Sequence, residues 1–210
     1  MAEPLLPIFP LPLVLLPSTP LPLHIFEERY KEMIGLVLAQ HDEFGMVLAK
    51  EEGIVNIGCS ATIENVLQRY PDGRMDILAM GRRRFIIQSI DDEKDYLRAS
   101  VQFFNDEEAD VVPPPLRQEA IAEYEKLRAI SHQAVAAEPR LDDPQLSFQL
   151  GQFIEDLNSR QALLAMRSET ERLAFLVRAL PEYIVRREQI TLAKRVAPQN
   201  GHAKTYKEKA

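Results

Sequence analysis

The feature that most limits how this chain can fold is an apolar N-terminus interrupted by prolines. Seven of the 15 prolines lie in the first 22 residues, at positions 4, 7, 10, 12, 17, 20 and 22. A proline inside a helix removes a hydrogen bond and costs roughly 3 kcal/mol. The residues between them are mainly Leu, Ile, Val and Phe, whose burial contributes about 25 cal/mol per Å². The pattern predicts a buried, extended, edge-strand-like segment in which the prolines lie where no ladder donor is needed.

The same segment does not fit an export signal, a membrane anchor or a linker. A signal peptide begins with basic residues, whereas the first charge here is Glu3. A spanning helix needs about 20 helix-competent residues, and a solvated polyproline linker or ligand would be less apolar. The single cysteine, Cys59, excludes a disulfide framework and a Cys-rich zinc site. We therefore expect a cytoplasmic protein without a membrane partner.

The hydrophobic spacing then predicts one helix followed by a β-rich region. Apolar residues from Tyr30 to Leu38 recur at helical spacing, which indicates an amphipathic helix over 27–40. Pro71-Asp72-Gly73 is a strong turn signal that predicts a hairpin. Six or seven short strands indicate a small, mostly antiparallel barrel or pseudobarrel. They are expected at 44–50, 54–57, 61–68, 75–80, 85–90 and 97–103.

Beyond Pro113-Pro114-Pro115 the period becomes helical. Asp143-Pro144 predicts the start of a helix that extends to Leu157, and Ser168 with Glu171 predicts a capping box. Pro181 is expected to start a last helix. The chain is thus α+β, with three predicted parts: a β-rich unit over 1–112, a helical unit over 113–197 and a flexible tail over 198–210.

Charge and motifs leave no recognisable active site. The net charge is −7, and residues 1–112 hold 10 basic against 19 acidic residues, which disfavours nucleic acid. Arg82-Arg83-Arg84 is the one basic run of this unit, and we interpret it as structural, salt-bridged arginine. Phosphate-binding loops and H-E-x-x-H are missing. Cys59 is expected to be a small buried apolar residue, although a hydrolase acting through Cys59 or a serine stays open. His24 and Glu27 provide only two ligands, too few for a zinc site.

The order of the N-terminal residues carries more information than any single motif. Leu6-Pro7-Ile8-Phe9-Pro10-Leu11, followed by Leu21-Pro22-Leu23-His24-Ile25-Phe26-Glu27-Glu28-Arg29-Tyr30, resembles the start of the Lon protease N-terminal domain. The Gly58–Ile63 strand, the Tyr70–Arg74 turn and the later Gly81, Arg84 and Phe85 resemble further segments of that family in the same order. The chain departs from the family pattern at Glu28, where many members have Pro, and at Ser18-Thr19, where Pro-Gly is common.

The resemblance implies a PUA-like β pseudobarrel with an α-helical bundle extension. In that family this domain recognises substrates, while separate ATPase and protease modules, which this sequence lacks, do the catalysis. We therefore expect a free-standing, non-enzymatic module that binds proteins or unfolded polypeptides, as an adaptor for clients or proteolysis. A PUA-like RNA-binding module is the alternative, and a homodimer stays open.

The resemblance also suggests which residues to examine. The expected peptide contacts are Phe26, Tyr30, Tyr70 and Arg82. The remaining family positions are expected to be mainly structural, and no catalytic, metal or cofactor residue is predicted. The family positions are Pro10, Leu23, Phe26, Glu27, Arg29, Tyr30, Asp72, Gly73, Gly81, Arg84 and Phe85.

Overall fold

A computed structural model describes residues 5–107, 111–130 and 138–196. These residues form six strands and five α-helices, which confirms the α+β class. The strands are β1 Leu6–Leu11, β2 Pro20–Ile25, β3 Phe44–Lys50, β4 Gly53–Arg69, β5 Met75–Asp91 and β6 Arg98–Phe104. The helices are α1 Glu28–Gln40, α2 Pro114–Ile130, α3 Leu146–Leu150, α4 Leu157–Ala165 and α5 Glu169–Val196. None of the helices in these ranges is long and apolar enough to cross a membrane.

Five of the strands close into a ring, as predicted for a pseudobarrel. The order is β2-β5-β4-β3-β1-β6, and β6 also pairs with β5, which closes the ring. The β1–β3 pair is parallel and the other pairs are antiparallel. β2 stays outside the ring and pairs only with the first half of β5. A small core of Ile8, Val47, Phe85 and Ala99 fills the ring.

The proline-rich segment is extended and largely buried, but only part of it is a sheet edge. β1 lies between β3 and β6, so its predicted edge position is wrong. Pro10 is tolerated there because backbone donors alternate sides along a strand. Ile8 N–H donates to Leu97 on the β6 side, 2.8 Å away, and β6 pairing ends before Pro10. β2 is the true edge strand.

Each of the two long strands, β4 and β5, replaces two short strands predicted from the sequence. The β4–β5 ladder shifts register at bulges instead of ending between the predicted strands. A bulge lets a strand bend without losing its partner. Position 81 in β5 requires glycine. A Cβ there would lie 2.1 Å from the carbonyl oxygen of Leu16, in the buried β1–β2 loop.

The helical unit differs from its prediction at two points. The helix expected from Asp143-Pro144 onward is divided: α3 ends at Leu150, and α4 starts after Asp156, whose carboxylate accepts the Ser159 N–H at 2.7 Å. Pro181 lies inside α5 instead of starting a helix. Ser168 accepts the Glu171 N–H at 3.0 Å, as expected for a cap. The predicted tail over 198–210 lies outside the described residues.

A buried charged cluster joins the sheet to the helices. Asp106, just after β6, accepts hydrogen bonds from Arg84 at 2.5 Å and from Arg172 at 2.5 and 2.7 Å. Arg172 also donates to Glu169 at 2.8 Å, and the two arginines are 3% and 0% exposed. Burial alone would raise the pKa of Asp106, but Arg172 and Arg84 lower that pKa overall. Two cations and two carboxylates thus balance each other in the interior.

Candidate functional site

The β4–β5 turn is fixed to helix α1. The Tyr70 N–H donates to the Arg74 carbonyl at 2.9 Å, and Gly73 has φ +85°, which favours glycine. The Asp72 carboxylate accepts from Arg74 Nε at 2.7 Å, and its carbonyl accepts from Lys31 Nζ at 3.0 Å. The family residues Asp72 and Gly73 therefore shape the turn and hold it against α1.

Three polar side chains are joined on the outer face of the sheet beside this turn. His24 on β2 is opposite Asp76 on β5, and His24 Nδ1 lies 2.5 Å from Asp76 Oδ1. The Tyr70 hydroxyl donates to Asp76 Oδ2 at 2.8 Å. The hydrogen bond from His24, followed by that from Tyr70, holds the pKa of Asp76 below its usual value, and the same contact raises the pKa of Tyr70. The network fixes two rings at the surface.

Exposed apolar side chains flank this network. Phe26 is 59% exposed, and its ring stacks on His24 with centroids 5.9 Å apart. Leu67 on β4 is 58% exposed. Large exposed apolar side chains on one side of the sheet make it a candidate binding surface. We call this surface the hairpin face and define it by Pro22, His24, Phe26, Leu67, Tyr70 and Asp76.

The structure brings together two of the four expected peptide contacts. Phe26 and Tyr70 both contact the His24 ring, at centroid distances of 5.9 and 6.0 Å. Tyr30 is only 6% exposed and packs on Phe9 at 4.1 Å, so its place in the core contradicts a surface contact. Arg82 is exposed but lies six residues along β5 from Asp76, about 20 Å at the usual rise per residue.

The arginine run is structural at two of its three positions. Arg83 pairs with Glu43 at 3.0 Å and lies over the Phe103 ring, and Arg84 belongs to the buried cluster. At the β4 bulge between Cys59 and Ala61, Ser60 Oγ donates to the Arg83 carbonyl at 3.2 Å and accepts from the Arg83 N–H at 3.1 Å. Within the described ranges, Arg82 alone of the three has no ion pair.

The other family positions serve the fold. Leu23 faces the core opposite Ile77. The Glu27 carbonyl accepts the first backbone bonds of α1, and its carboxylate pairs with Arg29 at 2.7 Å. A Cβ on Gly58 would be 2.5 Å from the ring of Phe85, which fills the ring of strands.

The nucleophile and metal candidates are poorly placed for chemistry. Cys59 is completely buried, and desolvation raises the pKa of its thiol to about 12. His24 pairs with Asp76, and no contact joins it to Glu27. The part of the chain that the structure describes holds no group of three or more side chains suited to a metal ion.

The sequence matches the family of the ATP-dependent protease La (LON) substrate-binding domain over residues 5–181. The chain belongs to this family. The Lon N-terminal domain protein from Xanthomonas campestris shares its fold, with a TM-score of 0.67 and 23% identity, over 84% of this chain and 99% of that one. The N-terminal domain of Mycobacterium avium complex Lon protease gives a TM-score of 0.61 and 19% identity, over 87% and 98% of the two chains.

Membership of the Lon substrate-binding family makes this chain a substrate-binding module whose partners are proteins or polypeptides. Four hairpin-face residues were not predicted as contacts: Pro22, His24, Leu67 and Asp76. Asp76 carried a signal, because it is a lone carboxylate between Met75 and Ile77 in an apolar strand. Its pairing with His24 depends on the β2–β5 register, which local spacing does not reveal.

Proposed function

We propose that this chain is a non-enzymatic module that binds unfolded polypeptides on the hairpin face and acts as an adaptor for proteolysis. The observation that carries the proposal is the exposure of Phe26 beside Tyr70, with both rings held by the His24–Asp76 pair. Aromatic side chains dominate binding energy at interfaces. Their fixed geometry reduces the ordering cost of association.

The non-enzymatic part is supported by the family, whose matched domain is a non-catalytic module. The buried Cys59 thiol also argues against a nucleophile, since a thiolate is the reactive form. An activity screen with ester, peptide and nucleotide substrates tests this part, and turnover that survives further purification would contradict it.

Binding is tested by fluorescence anisotropy with a labelled, reduced and alkylated protein that cannot refold. The double variant Phe26→Ala with Tyr70→Ala should weaken binding about tenfold or more, because burying one such ring contributes about 1.5–3 kcal/mol. Ile90→Ala is the matched control, since Ile90 is 50% exposed on the distant end of β5. No binding at high micromolar concentration, or equal effects of both variants, would refute the proposal.

The adaptor part is tested by adding the chain in trans to a Lon-type protease that degrades the same unfolded protein. The wild type should lower the KM for degradation, and the double variant should not. The RNA-binding alternative is tested by titrating the chain with RNA in parallel. Strong, salt-dependent RNA affinity that is lost in Arg82→Ala would favour an RNA-binding module over polypeptide binding.

A further inference from the structure

Half of strand β4 has a neighbour on one side only. β4 pairs with β3 as far as Ala61, whereas its pairing with β5 continues to Arg69. Among the described residues no other strand pairs with 62–69, and this segment contains no proline. An unpaired edge of this kind is a template for adding another strand. We call residues 62–69 the β4 edge.

The other open edge of this sheet, on β2, is blocked. Gly81 N–H donates to Thr19, and the Gly81 carbonyl accepts from Ser18, so the polar groups of Gly81 face β2. Backbone groups alternate sides along a strand. The nitrogens of Pro20 and Pro22, which have no hydrogen, therefore face the open side of β2. Prolines at these positions prevent the addition of a strand to β2. An extended polypeptide can therefore pair with the β4 edge but not with β2.

The same alternation shows which groups the β4 edge offers. On β5, the backbone N–H and C=O groups of every second residue face β4. These residues are Asp76, Leu78 and Met80, which lie opposite Gln68, Asn65 and Thr62. The backbone N–H and C=O groups of Ile63 and Val66 therefore face the open side of β4. Bulges between these positions increase the local twist. The edge thus suits a short extended segment of about four residues, not a long strand.

A groove of about 420 Å³ lies between the β4 edge and the end of α1. Its apolar wall comes from Val37 and Leu38 on α1 and from Ile63 and Val66 on β4. Its polar lining is His41, Asp42, Thr62, Glu64 and Asn65. The carboxylates of Asp42 and Glu64 are exposed, and neither lysine nor arginine lines the groove within the described residues.

We propose that an extended polypeptide segment of a few aliphatic residues flanked by basic residues adds to the β4 edge as an extra strand. Its aliphatic side chains pack in the α1 groove, and its Lys or Arg side chains meet Asp42 and Glu64. An added strand continues the sheet β2-β5-β4, so its backbone also lies beside Leu67 of the hairpin face. This inference rests on the proposed polypeptide binding, for which it supplies a binding mode and a charge preference.

The first probe is a fluorescein-labelled ten-residue peptide with a central run of Val flanked on both sides by Lys, the Val-Lys peptide, titrated by anisotropy against the full chain. The same peptide methylated on every backbone nitrogen keeps its side chains and charge but cannot donate to the edge, so it should not bind. The Val-Glu peptide has Glu in place of every Lys. It should bind at least tenfold more weakly than Val-Lys. Amide exchange at Ile63 and Val66 should slow in the Val-Lys complex. Equal binding of the methylated and unmethylated peptides would overturn the proposal.

The carboxylates are tested by the double variant Asp42→Lys with Glu64→Lys. It should lower Val-Lys affinity at least tenfold. The matched control is Glu51→Lys with Glu52→Lys, which makes the same charge change in the exposed β3–β4 turn and should change affinity less than threefold. Equal effects of the two double variants would overturn the charge preference.

Failure of this proposal is distinguishable from failure of the proposed function. If unfolded protein binds and Phe26→Ala weakens it, while the Val-Lys peptide does not bind, strand addition is wrong and polypeptide binding stands. If neither probe binds, both are wrong.

Discussion

Asp106→Asn is expected to destabilise the protein by about 3–5 kcal/mol, the usual cost of removing one partner of a buried ion pair. The wild-type cluster balances Arg84 and Arg172 against Asp106 and Glu169. The variant keeps the side-chain shape but leaves one excess positive charge among groups that are almost fully buried. For a chain of this size the loss corresponds to a fall in Tm of about 6–20 °C.

Urea unfolding followed by far-UV circular dichroism measures this change, since the chain has no Trp for fluorescence. Asp91→Asn is the control, because its pair with Arg98 is partly exposed. It should cost at most about 1 kcal/mol. Asp106→Met combined with Arg84→Met, which keeps one cation and one carboxylate, should be more stable than Asp106→Asn. A loss below about 1 kcal/mol for Asp106→Asn would refute the reasoning.

The same variant carries a pH signature. The pKa of Asp106 is lower in the folded state than its usual value. Its stabilisation is therefore present above the unfolded-state pKa and lost as pH falls through the folded-state pKa. Burial raises the pKa of Glu169, so the contribution of Glu169 has the opposite trend. The stability gap between wild type and Asp106→Asn should narrow as the pH is lowered, and a constant gap would contradict the assignment.

Three further changes test local features. Gly81→Ala should cost about 3 kcal/mol or more in urea unfolding, because its Cβ would meet the Leu16 carbonyl oxygen at 2.1 Å; a neutral effect would contradict the close packing. Ser18 has φ +58°, so Ser18→Gly should raise stability by up to about 1 kcal/mol in the same assay, and a loss would count against strain there. Cys59 should react with a thiol reagent only after unfolding, since its pKa is about 12 and it is buried; rapid reaction of the native protein would refute this.

Local signals predicted the elements whose causes are local. The apolar spacing of α1 and the Pro71-Asp72-Gly73 turn needed only neighbouring residues, and both are confirmed. The interior position of β1 depends on parallel pairing with β3, which no short pattern encodes. Likewise, α5 continues through Pro181 because packing against α2 outweighs one lost helix bond.

The candidate site was predictable in composition but not in arrangement. The resemblance suggested Phe26, Tyr30 and Tyr70 alike as peptide contacts, but Tyr30 is only 6% exposed and lies in the core. The difference arises because helix α1 turns Tyr30 onto Phe9, while β2 ends with Phe26 on the outer side. Asp106, Arg172 and Glu169 meet only after the sheet and the helices have packed.

The most direct test of polypeptide binding is an NMR titration of the isotopically labelled chain with the reduced and alkylated protein. The account predicts that the largest amide shift changes fall on the hairpin face and the β4 edge, in residues 22–26, 62–70 and 74–78. Shift changes confined to other surfaces, or none at saturating concentration, would contradict it.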